Sequence, residues 1–135
     1  MSFKESKIEH PVIRQFILRT AVVNYLGKSL KLQWNNWKDV CIQIEISKIK
    51  KEEDNEKRQK LEDNKKELQE KVHTAHKLLE REYNSLFTYM MKKRELWDSP
   101  EYFSAKSALG SAIQNLRLYV ATSQLQLQDL KSTQN

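Results

Sequence analysis

Between Leu61 and Tyr89 the apolar residues recur at steps of three, four or their sum: Leu61, Leu68, Val72, Ala75, Leu79, Leu86 and Tyr89. Lys65 and Glu82 fill the two polar slots of the same series. This is a heptad seam, and it predicts a helix, because about 3.5 residues per turn keep such positions on one side of the chain. The pattern runs on through Met90, Met91 and Leu96 to Trp97. A helix over 56–97 is about 60 Å long. That is long for a compact domain of 135 residues and predicts an elongated helical hairpin.

The remainder of the chain agrees with a helical class. Two Gly and two Pro supply too few turns for an all-β fold. With 39% hydrophobic and 31% charged residues, the composition suits long amphipathic helices better than a doubly covered sheet. The segment WNNWKDVCIQIEI, residues 34–46, tests the point because its second half alternates like a strand. As a hairpin turning at Asn35-Asn36, it would put Asp39 among apolar residues and strand its isoleucines on the other face. As a helix, Leu30, Trp34, Trp37, Cys41 and Ile44 form a seam, so helix is preferred.

Punctuation divides the chain into four expected helices. Pro11 suits a first-turn position, and Gly27 suits a helix end, which predicts a helix over 10–26. Val12, Ile13, Phe16, Ile17, Ala21, Val22, Val23, Tyr25 and Leu26 leave it only a narrow polar strip, the pattern of a helix buried in a bundle. A second helix is expected over 29–52. KKEEDNEKRQK then lacks any apolar residue, and a reversal near Asp54-Asn55 fits. After the helix over 56–97, either Asp98 with Glu101 or Ser99 before Pro100 caps a fourth helix over 99–131. Its seam is expected at Leu109, Ile113, Leu116, Val120, Ser123, Leu127 and Leu130. The expected fold is therefore all-α: residues 1–135 form a single elongated antiparallel bundle of about four helices with a long central coiled-coil-like hairpin.

No constellation points to catalysis. Cys41 is the lone cysteine and sits on a seam, where it acts as a small hydrophobe. Glu70, His73 and His76 have part of a Glu-x-x-His metal pattern, but the partner ligands of such sites are missing. Gly27-Lys28-Ser29 ends like a phosphate loop, yet Val22 stands where the first glycine is needed. Neither an enzyme nor a metal, cofactor or small-molecule substrate is expected. Residues 12–26 are interrupted by Arg14 and Arg19 and are too short to span a bilayer, and MSFKESKIEHP lacks the apolar run of a signal peptide. A soluble, cytoplasmic protein is the expectation.

Charge gives the functional lead. The net charge is +6, and residues 1–50 hold nine Lys/Arg against four Asp/Glu. Such an excess suits an anionic partner. The candidate nucleic-acid-binding residues are Arg14, Arg19, Lys28, Lys31 and Lys38, with Lys92, Lys93 and Arg94 in the basic-aromatic corner FTYMMKKRELWDSPEYF. Cations there would hold phosphates, and aromatic faces could stack on bases. An aromatic plug closing the bundle end is the competing use of that corner. Trp34 and Trp37 fit the core better than a stacking platform. From Ser104 to Gln128 the only charges are Lys106 and Arg117. Ser104, Ser107, Ser111, Gln114, Thr122 and Gln126, near the small residues Ala105, Ala108 and Gly110, read as a face packed on another protein.

In size, helicity and mild basicity the chain looks like the small helical subunit of CRISPR effector complexes, a likeness of overall form over the whole chain that rests on no motif. It implies a non-catalytic subunit that docks on neighbouring proteins and touches a DNA or RNA phosphate backbone without reading sequence. The alternative is a coiled-coil adaptor or scaffold that binds protein partners only.

Overall fold

A computed structural model describes residues 10–51 and 54–133, with side chains through Tyr119. The described residues form three long helices: α1 (Pro11–Ile49), α2 (Asn55–Lys92) and α3 (Pro100–Thr133). A single 3-10 turn, Arg94–Leu96, links the last two. The helices pack pairwise as a bundle, α1 antiparallel to α2 and parallel to α3, as shown by the contacts of Phe16 with Tyr89 and Tyr102 and of Tyr119 with His73. There is no strand among the described residues, and none of their helices is long and apolar enough to cross a membrane.

The ends follow local chemistry. His10 caps α1, its Nδ1 accepting from the Val12 N–H at 3.3 Å, and Pro11 opens the helix. Asp54 caps α2 by accepting from the Lys57 N–H at 3.1 Å, so the chain reverses where the charge-rich segment suggested. Of the two possible caps for the last helix, Ser99 is used: its Oγ accepts from the Tyr102 N–H at 3.1 Å. At the end of α1, Lys51 has φ 52°, the left-handed region that glycine adopts most cheaply.

The expected break at Gly27 is absent, so the described residues form three long helices where four were expected. Helix α1 runs unbroken for 39 residues, and the segments 10–26 and 29–52 are one element. Gly27 is buried where α1 approaches α3; a Cβ there would lie 3.2 Å from Asn115 Nδ2. The glycine serves a close helix contact, not a helix end. Helix propensity is lowered by one glycine, but tertiary packing overrides it.

The seam on α2 is where the heptad placed it. Leu68, Val72, Ala75, Leu79 and Leu86 are buried, Leu61 and Tyr89 are half-buried, and Met90 joins them. On α1 the inward row is Ile13, Phe16, Thr20, Val23, Gly27, Leu30, Val40, Ile44 and Ser47, with Trp34 and Trp37 half-buried between its two parts. Val40 takes the buried place expected for Cys41. Phe16 is fully enclosed at the point where all three helices meet, edge-on to Tyr89 at 5.1 Å and to Tyr102 at 5.8 Å. Trp97, by contrast, is 71% exposed and does not plug the bundle end.

Two expectations about faces are corrected. On α3 the described core row is Ala105, Ala108, Leu109 and Ala112, while Ile113 and Leu116 are only half-buried. Small residues face inward because α3 lies close against α1, so Ala105 and Ala108 are part of the bundle's own core and not of an outer docking face. Val120, Ser123, Leu127 and Leu130 lie beyond the described side chains. On α1, Ile17, Ala21, Val22 and Tyr25 are exposed although a buried helix was expected. In a three-helix bundle each helix has neighbours on one side only, so an all-round apolar helix keeps an uncovered back.

Candidate nucleic-acid interface

The basic residues of α1 separate onto two edges. Lys28, Lys31 and Lys38 each follow an inward or half-buried position, Gly27, Leu30 and Trp37, by one residue. Lys31 places this edge beside α3: with Trp34 it lines a shallow groove whose floor is Leu30 and whose other wall is Asn115, Leu118 and Tyr119. Lys38 lies over the Trp34 ring, 4.2 Å from its centroid. That contact holds a cation against an aromatic face at the groove mouth. Arg14 is exposed near the opposite end of α1.

Arg19 belongs elsewhere. It precedes Thr20 and so faces α2, where its guanidinium donates to Ser85 Oγ and lies 4.9 Å from the centre of the Tyr89 ring. Its Nε is buried with no hydrogen-bond partner among the described residues. Arg19 is half-buried and tied to α2, which removes it from the basic surface that the sequence suggested. Lys92, Lys93 and Arg94 gather at the α2 end, in the corner expected for them. Lys92 and Arg94 are exposed, Lys93 is half-buried, and Arg94 Nη2 lies 3.7 Å from Met91 Sδ.

The histidines acquire a role through Tyr119, a residue the sequence reading did not single out. His73 Nδ1 and the Tyr119 hydroxyl share a 2.8 Å hydrogen bond, and His76 stacks on the Tyr119 ring at 4.2 Å. Tyr119 stands three residues after the half-buried Leu116, whereas the expected seam steps by four from Leu116 to Val120 and so passes it over. It bridges the Lys31–Trp34 groove and α2. Among the described residues no three His, Cys, Asp or Glu side chains come together to hold a metal.

Burial lowers the His76 pKa; Glu80 opposes this and His73 reinforces it. The charged form is therefore disfavoured in the fold. The sign follows: this contribution to stability is intact above the unfolded-state value of about 6.5 and is lost as pH falls below it. We expect the melting temperature to drop between pH 7.5 and pH 5, and His76→Phe, which keeps the stack, to flatten that drop in circular-dichroism melts. The Cys41 thiol is pushed up by its burial, with Lys65 opposing, and so stays protonated and a poor nucleophile.

Among the expected docking residues, Ser104, Ser107, Ser111 and Gln114 are exposed and follow one another at steps of three and four. They form an uncharged row that ends at Leu118. Thr122 and Gln126 lie beyond the described side chains. Comparison of the chain with protein-family models, with curated proteins and with solved structures finds no match.

Proposed function

We propose that this chain is a non-catalytic helical subunit of a nucleoprotein assembly that contacts a DNA or RNA phosphate backbone without sequence specificity. The observation that carries the reading is the charge of the α1–α3 side. From Pro11 to Lys38 there is no carboxylate at all, and the exposed cations Lys28, Lys31 and Lys38 follow one edge. Helix α2 instead mixes its signs and ties some of them in local pairs, such as Lys71 with Glu67 at 3.4 Å. A one-signed edge about 15 Å long, from Lys28 to Lys38, suits consecutive phosphates. Lys92 and Arg94 form a separate positive site at the α2 end, level with the start of α1, and the Ser104–Gln114 row is the proposed contact with neighbouring protein. The exposed apolar back of α1 favours a second reading, a protein-only adaptor.

Salt-dependent binding of labelled single- and double-stranded DNA and RNA separates the two. The nucleic-acid reading expects affinity to fall steeply with salt. Lys31→Ala with Lys38→Ala should lower the log–log slope by about 2 for every sequence alike. No binding at about 50 mM salt, or a slope unchanged by the two substitutions, overturns it in favour of the adaptor.

A further inference from the structure

The back of α1 is an apolar stripe. Leu18, Val22, Tyr25, Leu32, Ile42, Ile46 and Ile49 are exposed. Each stands two positions after an inward residue: Phe16, Thr20, Val23, Leu30, Val40, Ile44 and Ser47. Two positions are about 200° around a helix, so the stripe lies opposite the core along its whole length. Tyr25 is 72% and Ile49 78% exposed. From Leu18 to Ile49 the stripe is about 47 Å long.

We infer that this stripe pairs with the same stripe of a second copy of the chain, the two α1 helices antiparallel and related by a twofold axis. The distribution of residues along α1 selects that occupant. Two charges lie in the stripe, Lys28 and, within its outermost row, Asp39, both exposed; exposed Glu45 flanks it beside Ile42 and Ile49. The antiparallel register that sets Lys28 opposite Asp39 of the other copy also sets Leu18 opposite Ile49, Tyr25 opposite Ile42 and exposed Ala21 opposite Ile46. Symmetry produces each of these pairs twice. The axis crosses α1 level with Gln33 and Trp34, where Leu32 faces Asn35. A parallel pairing in register would set Lys28 against Lys28 and Asp39 against Asp39, which is repulsive. The pattern of α1 is thus complementary to its own reverse.

The size of the contact bounds its strength. A strip about 47 Å by about 10 Å on each copy gives roughly 1,000 Å² in all, the lower edge of a specific interface. The dimer is accordingly expected in the micromolar range. The pairing shares Lys28 with the proposed phosphate-binding edge but does not use Lys31 or Lys38, whose substitution tests that edge.

Sedimentation equilibrium of the full chain from about 1 to about 500 µM tests it. The expected result is a monomer–dimer equilibrium. Tyr25→Lys should weaken it at least tenfold with an unchanged circular-dichroism spectrum. Lys28→Asp and Asp39→Lys should each weaken it several-fold, and the double variant, which swaps the charges, should restore it. A monomer throughout, an association indifferent to Tyr25→Lys, or a double variant no better than its parents would overturn the proposal.

Discussion

Phe16→Ala is expected to cost about 3–5 kcal/mol, the upper range for truncating a core aromatic. The physical reason is that the site cannot close. Phe16 is fully buried, and its neighbours Tyr89 and Tyr102 come from two other helices. Tyr89 is held from both sides, its hydroxyl 3.4 Å from the Val12 carbonyl and its ring under the Arg19 guanidinium. A ring anchored in this way does not move in to fill a void, so the lost contacts go unreplaced. For a domain of this size the melting temperature should fall by on the order of 15 °C. Phe103→Ala is the matched control. Phe103 is 73% exposed, and its removal should change stability by under about 0.5 kcal/mol. Urea unfolding of the two variants checks both values, and similar costs would contradict the arrangement of the three-helix junction.

Gly27→Pro should be at least as damaging, about 3 kcal/mol or more. In an unbroken α1 a proline at this position removes the hydrogen bond to the Val23 carbonyl and clashes with that group. Its ring would also enter the space next to Asn115, whose Nδ2 already lies 3.2 Å from a Cβ at this position. Ser29→Pro, just beyond Gly27, separates one helix from two: it should cost a similar amount in an unbroken α1, whereas proline just beyond a helix end is well tolerated. Gly27→Ala should stay within about 1 kcal/mol of the parent, because better helix propensity offsets a small displacement of a side-chain amide. A folded Ser29→Pro protein of near-native stability would show that α1 is broken after all.

Much of this fold was legible in the chain because its signals are local. The α2 seam, the helical reading of WNNWKDVCIQIEI, the reversal at Asp54 and the Ser99–Pro100 start each depend on residues within a turn or two of one another. The readings that failed depended on distance. Gly27 looks like a stop signal until α3 is placed against it. Arg19 looks like part of a basic surface until Ser85 and Tyr89, far along the chain, engage it. Tyr119 gains meaning only when α2 brings His73 and His76 to it.

The sequence by itself determined that this chain is helical, where α2 turns its apolar edge, and that positive charge concentrates in the first third. Periodicity and composition carry that information without reference to other elements. Only the tertiary structure decided how many helices there are, which lysines share an edge, and which apolar side of α1 is left uncovered. A helix pattern records that a side is apolar; which neighbour covers it depends on where the other helices lie.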